Sequence, residues 1–224
     1  PVLCARYRVL NYDLYGHGQS RPAERPLNLS VFADQIAGLL EETVMGPAHL
    51  VGFSIGGMIN RRVAMDRPDL VRSLVILNSP HDRGAHMQQE VEARARKALD
   101  QGAEATLQAA LERWFTPEFL ASNVQTPRQV ASWRMQADRA SYGQSAWVLA
   151  NGVRELIRPT PPLKHASLVM TCSKDVGSTP QMSWDIAAEI AGAECQIVPQ
   201  LKHLGLLEVP ESFTKPVLDF LQRV

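Results

Sequence analysis

The stretch His49-Leu-Val-Gly-Phe-Ser-Ile-Gly-Gly-Met58 constrains the fold of this chain more than any other. Leu50 and Val51 form a short apolar run that enters Gly52-Phe53-Ser54-Ile55-Gly56. Met58, Ile59, Val63 and Met65 then recur at the spacing of one helix face. A strand that turns directly into a helix brings two backbones close together, so small residues are needed where side chains would collide. Ser54 stands at the apex of this turn, its hydroxyl projecting outward. The helix that follows aims its unpaired N–H groups and positive dipole end at the same spot. Such a corner is suited to a developing oxyanion.

The rest of the chain repeats the strand-and-helix alternation. Tyr7–Tyr12 reads as a strand, followed by a polar loop through Pro26. Ser30 is expected to cap a helix whose apolar residues Phe32, Ile36, Leu39, Leu40 and Val44 fall at helical intervals, with Gly46-Pro47 stopping it. Further apolar strands are expected at Ser73–Leu77, Ala166–Thr171 and Cys195–Val198. Helices carrying Ile186, Ala187 and Ile190, then Phe213, Val217, Leu218 and Leu221, complete the pattern. Apolar strands alternating with amphipathic helices predict an α/β fold with a mostly parallel sheet covered on both faces. Between Met87 and Gly152 no strand is evident; Ala, Gln, Glu and Arg dominate, with Trp114, Phe115, Phe119, Trp133 and Trp147 interspersed and Pro117 and Pro127 as punctuation. This predicts a core of residues 1–82 and 160–224 interrupted by a helical cap over 83–159.

Charge excludes one class of function. Lys+Arg and Asp+Glu both count 23, so there is no basic field to hold a nucleic acid. The longest apolar runs are strand-sized, too short to span a membrane, and no secretory leader pattern opens the chain. Cys4, Cys172 and Cys195 lie far apart without metal-ligand spacing. An odd number of thiols without a leader points to a reducing cytoplasm. No metal and no cofactor is expected, and the oligomeric state is left open.

A neutral serine is a poor nucleophile unless a base lies within hydrogen-bond reach and a carboxylate orients that base. Asp175 follows the strand ending at Thr171, and His203 follows the strand ending at Val198. Both therefore fall, with Ser54, at the carboxyl ends of parallel strands, where sites in such sheets lie. Asp82, after the strand ending at Leu77, is the rival acid. His49 reads as structural, His17 belongs to the Gly16-His-Gly18 loop, and His81, His86 and His165 read as surface or hinge residues without partners.

These residues resemble the α/β-hydrolase superfamily along essentially the whole chain. Asp13-Leu-Tyr-Gly-His-Gly-Gln-Ser20 resembles its D-x-x-G-x-G-x-S segment, Gly52–Gly57 its nucleophile elbow, and His203-Leu-Gly-Leu-Leu-Glu-Val-Pro210 the stretch that bears its histidine. Arg113–Phe119 and Ser141-Tyr-Gly143 are similar to the branch of 3-oxoadipate enol-lactonases and their esterase-like relatives. The resemblance implies Ser54 as nucleophile, His203 as base, Asp175 as orienting acid and the Ile55 N–H as an oxyanion donor. It implies hydrolysis of a small carboxylic ester or lactone without a cofactor, with Trp133 and Arg134 facing an acidic substrate. Carbon–carbon bond hydrolysis of ring-cleavage products, or a related binding protein without catalysis, are the alternatives.

Three departures accompany the likeness. Asp175-Val-Gly-Ser-Thr-Pro180 has one residue more before its proline than many relatives, and Lys202 stands where relatives often have glycine. The family also places a strand ending in His-Gly before the segment matching Tyr7–Tyr12, and that strand's loop supplies the second oxyanion donor. The 224 residues are accordingly expected to be a shortened form of a normal hydrolase lacking its N-terminal strands.

Overall fold

Four strands, β1 (Ala48–Phe53), β2 (Val71–Leu77), β3 (Ala166–Cys172) and β4 (Glu194–Val198), pair in that order, each parallel to the next. The computed structural model describes residues 2–43 and 46–224. Helix α1 (Leu29–Thr43) precedes β1, and α2 (Ile55–Asp66) joins β1 to β2. A helical segment separates β2 from β3: α3 (Gly84–Gln101), α4 (Leu107–Trp114), α5 (Pro117–Ser122), α6 (Gln125–Gln136) and α7 (Arg139–Asn151). Then α8 (Pro180–Ala188) connects β3 to β4, and α9 (Gly205–Glu208) and α10 (Glu211–Leu221) close the chain. Among the described residues no helix is long and apolar enough to cross a membrane.

The strands order as they do because successive side chains point to opposite faces and both faces are covered. Leu74 and Ile76 of β2 pack on one face with Phe32 and Ile36 of α1 and Met58, Ile59 and Val63 of α2. Val75 and Leu77, one residue out of step, pack on the other with Phe213, Val217 and Phe220 of α10. Each fully buried side chain of this size contributes about 1.5–3 kcal/mol relative to exposure. The central strands β2 and β3 are almost continuously buried, whereas β4 alternates and β1 leaves Val51 exposed.

Two local expectations are corrected. Tyr7–Tyr12 forms no strand: a strand exists only through ladder bonds to a neighbour, and among the described residues this segment has none. Its Val9 and Leu10 lie exposed. The first long helix begins at Leu29 and not after Ser30, with Asn28 Oδ1 accepting from the Val31 N–H at 2.9 Å. Val44, counted among its apolar positions, lies outside the described residues. Pro117 sits in the first turn of α5 and Pro127 in the first turn of α6, where a missing N–H costs nothing.

Candidate active site

The turn after β1 is held in a conformation that few side chains tolerate. Ser54 has φ 54° and ψ −116°, a sparsely populated region costing on the order of 1–3 kcal/mol. Its N–H donates to the Leu77 carbonyl at 2.8 Å, tying the turn to β2, and its carbonyl accepts from the Gly57 N–H at 3.1 Å. The neighbouring glycines leave the room this needs. A Cβ on Gly52 would lie 2.4 Å from the backbone carbonyl carbon of Gly56, and one on Gly57 would lie 2.7 Å from Ser79 Cβ. Ile55 is the first residue of α2, so its N–H is among those without an intrahelical acceptor.

Asp175 and His203 arrive at this serine from β3 and β4. The loop after β3 folds Asp175 under itself, and its Oδ1 accepts from the N–H groups of Gly177 at 2.9 Å and Ser178 at 3.0 Å. Oδ2 meets His203 Nδ1 at 2.7 Å, and His203 Nε2 lies 3.2 Å from Ser54 Oγ. The imidazole is bracketed by the rings of Phe53, 4.9 Å away between centroids, and Trp114, 6.4 Å away. Burial pushes the Asp175 carboxyl upward, but the facing His203 and the hydrogen bonds from His203, Asn78 and the Ser178 N–H outweigh it, leaving the group below its ordinary value.

Asn78 is the residue of this array that sequence reasoning missed. It follows β2 with a positive φ of 46°, is fully buried, and donates from Nδ2 to Asp175 Oδ2 at 2.9 Å. The signal in the chain was a polar Asn-Ser pair directly after an apolar strand, in the place where Asp82 was considered. Asp82 itself is exposed, and its Oδ1 accepts from the Gly84 N–H at 3.0 Å, closing a local turn away from His203. Asn78→Ala strips a donor from a buried carboxylate, an expected cost of about 1–3 kcal/mol at neutral pH. The folded-state pKa of Asp175 is depressed, so its ionised form contributes stability above the unfolded pKa and loses it as pH falls through the folded one. The penalty of Asn78→Ala, read from urea unfolding, is therefore expected to shrink as the pH drops through the carboxylate range. An equal penalty at every pH would show that Asn78 does not act on the charged carboxylate.

A cavity of about 140 Å³ opens above Ser54 and His203, beneath the helical segment. Arg83, Arg94, Arg113 and Arg134 all line it, with Asp175 as the one carboxylate among its lining residues. Arg134 is buried, lies over the rings of Tyr142 at 5.0 Å and Trp114 at 5.5 Å, and donates to the Ala103 carbonyl at 2.6 Å and to Thr106 Oγ1. Burial lowers the Arg113 guanidinium from its ordinary value, and repulsion from Arg94 and Arg134 lowers it further. Arg83 is pushed down to about 10 by burial and then by Arg94, with Asp82 opposing. Trp133 does not share this cavity: it is 59% exposed. Arg134 lines the cavity from the buried side of α6, whereas Trp133, about 100° further round the helix, is turned to solvent. The aromatic lining is Trp114 and Tyr142.

Three of the other histidines, His49, His81 and His165, contact the scaffold. His49 Nδ1 lies 2.7 Å from Ser73 Oγ, linking β1 and β2. His81, expected on the surface without a partner, is instead buried with Nε2 3.1 Å from Glu189 Oε1. His165 Nε2 lies 3.2 Å from the Pro68 carbonyl, and His86 is exposed on α3. Among the described residues no group of three or more His, Cys, Asp or Glu side chains could hold a metal ion.

Residues 1–215 match the profile of the alpha/beta hydrolase family. The chain belongs to that family. Among the relatives of this hydrolase is the (E)-2-((N-methylformamido)methylene)succinate hydrolase of Acinetobacter baylyi, 26% identical across 96% of this chain and 81% of the relative. The 3-oxoadipate enol-lactonase 2 of the same organism is 24% identical across 97% of this chain and 80% of its own length. The crystal structure of the enol-lactonase from Burkholderia xenovorans superposes with a TM-score of 0.88 at 26% identity, covering 99% of this chain and 83% of that one. The hydrolase fold and hydrolase character of the chain are thereby shown.

Proposed function

We propose that this hydrolase cleaves a small carboxylic ester or lactone that itself carries a carboxylate, in the manner of an enol-lactonase, through an acyl intermediate on Ser54. The observation that carries this reading is the unbroken chain from Asp175 through His203 to Ser54, with contacts of 2.7 Å and 3.2 Å. Residues 83–159 serve as the cap that closes the substrate cavity.

In the first half-reaction Ser54 Oγ bonds to the substrate carbonyl carbon as its proton passes to His203 Nε2. Asp175, ionised and buried, holds the Nδ1–H and stabilises the imidazolium that forms. The carbonyl oxygen becomes an oxyanion, which the Ile55 N–H and the amino end of α2 stabilise. As the carbon–oxygen single bond breaks, His203 returns its proton to the departing oxygen, leaving an ester on Ser54. Water then loses a proton to His203 and attacks the same carbonyl, and as the bond to Ser54 Oγ breaks His203 returns that proton to Oγ, regenerating Ser54 and releasing the acid. For a lactone, alcohol and acid remain in one molecule, a ring-opened hydroxy acid, or its keto form when the oxygen was enolic.

The charge of the cavity supports the anionic substrate. Four arginines line the cavity against one carboxylate already engaged by His203; Arg94 is paired with Glu90 at 3.7 Å, and the surplus leaves a net positive field beside the nucleophile. Guanidinium groups suit carboxylates because their donors match the two oxygens in one plane. Two relatives, a substituted succinate hydrolase and an enol-lactonase, bear names that agree with such a substrate.

A fluorophosphonate probe is expected to label the protein, and Ser54→Ala to abolish the label. A carboxylated lactone is expected to show kcat/KM at least about tenfold above its methyl ester, as for a charge-assisted hydrogen bond of about 1.5–3 kcal/mol. Arg113→Met should narrow that ratio. Faster cleavage of the neutral ester would remove the anionic substrate class, and an unlabelled parent protein would remove the acyl-serine mechanism.

A further inference from the structure

The loop that carries His203 has little secondary structure of its own. Strand β4 ends at Val198 and the four-residue α9 begins only at Gly205. On one side the loop is anchored to the Asp175 loop, the Lys174 N–H donating to the Leu201 carbonyl at 3.0 Å. On the other side it is fastened to the cap. Lys202 Nζ donates to the Glu112 carbonyl at 2.7 Å, and the Leu204 N–H donates to the Trp114 carbonyl at 2.8 Å. Glu208 then accepts twice from Thr116, from its N–H at 2.9 Å and from its Oγ1 at 2.5 Å. Thr116 is itself buried and caps α5 through its Oγ1, accepting from the Phe119 N–H at 3.3 Å.

The first two bonds keep one register, 112 to 202 and 114 to 204, and the third, 116 to 208, steps two residues further along the histidine side. Between them lie Arg113 and Trp114, which line the substrate cavity, and Trp114 also flanks the imidazole. One short segment therefore contacts both the space for the substrate and the loop bearing the base.

We propose that residues 112–116 form a strap that positions His203, with Thr116 and Glu208 as its positioning residues and Lys202 as a third tie. The inference rests on the reading of His203 as the general base. The strap fixes the cap to the histidine loop, so the cap cannot lift at this edge without drawing Nε2 away from Ser54. Lys202 has its use here: its long side chain reaches a carbonyl near the end of α4.

The test compares Thr116→Val, which keeps the shape and removes the Oγ1 donor, with Thr116→Ser, which restores it. A misplacement of reacting groups by about 1 Å costs on the order of 10² in rate, and partial loosening costs less. Thr116→Val is expected to lower kcat about tenfold with KM within about twofold and the fluorophosphonate labelling rate reduced in parallel. Thr116→Ser should recover most of it, and Glu208→Ala should reproduce the valine variant. Circular dichroism melts identify variants that remain folded. Folded Thr116→Val and Glu208→Ala proteins with parental kcat would overturn the strap, as would a loss that Thr116→Ser fails to recover. A parent that is not labelled at all would instead sink the acyl-serine reading beneath it.

Discussion

Ser54→Ala is expected to lower kcat by a factor on the order of 10⁵ while leaving the melting temperature within a few degrees of the parent. The magnitude follows from the way a triad works as a unit: without the attacking oxygen, the imidazole and carboxylate have nothing to activate, and what remains is cavity binding and the oxyanion donor. The small effect on stability follows from the site. Ser54 Oγ lines the cavity and, among the described residues, its hydrogen bond is to His203, so an alanine leaves no buried donor behind it. Alanine at this φ of 54° is no worse placed than serine. Initial rates with a carboxylated lactone and a thermal melt of both proteins provide the check. A variant that retains even a tenth of the parental rate would mean that another group attacks the substrate.

Gly52→Ala is expected to be the most damaging single change to the fold near the site. The added methyl would stand 2.4 Å from both the carbonyl carbon and oxygen of Gly56 and 2.5 Å from the Asn60 side-chain nitrogen. Two of those three atoms are backbone, so no rotamer change relieves the clash, and α2 must shift away from β1. Overpacking in a well-packed core costs typically about 1–3 kcal/mol, and a backbone collision belongs at the upper end. For a chain of this size that lowers the melting temperature by roughly 6–12 °C, at about 2–4 °C per kcal/mol. Movement of α2 also carries Ser54 and the Ile55 N–H with it, so activity should fall further than the unfolded fraction explains. A variant with the parental melting curve would show that β1 and α2 have slack that the close approach at Gly52 denies.

Much of this architecture was legible before any coordinates. The runs at Ser73–Leu77 and Ala166–Thr171 lie within the observed strands because a strand buried on both faces must be continuously apolar, and Cys195–Val198 lies within β4, whose burial alternates. The elbow was legible for a related reason: only small residues fit where Gly52 and Gly57 approach their neighbours, so the steric demand is written as composition. Tyr7–Tyr12 shows the opposite case. Its apolar alternation describes what a strand would bury, but a ladder depends on which neighbour stands beside it, and the local pattern does not contain the neighbour.

Polar geometry divides in the same way. That Ser54, Asp175 and His203 each follow an apolar run is a statement about chain order, and parallel strands carry such residues to one rim whatever their loops do. Asn78 could not be chosen over Asp82 in that manner, because both follow β2 and only the path of the loop brings one against Asp175 and turns the other to solvent. The arginines are the clearest instance. Arg94, Arg113 and Arg134 belong to α3, α4 and α6, and nothing in the polar stretches around them sets them apart from solvated arginines, although Arg134 is buried in the structure. Their common cavity arises from the angles at which those helices pack, which depend on contacts summed over the whole segment. Chain order thus decided the sheet, the elbow and the three residues along its edge. Helix packing decided which charges line the cavity and which residues bond to the loop of His203, since those contacts join residues whose separation along the backbone carries no trace of their distance in space.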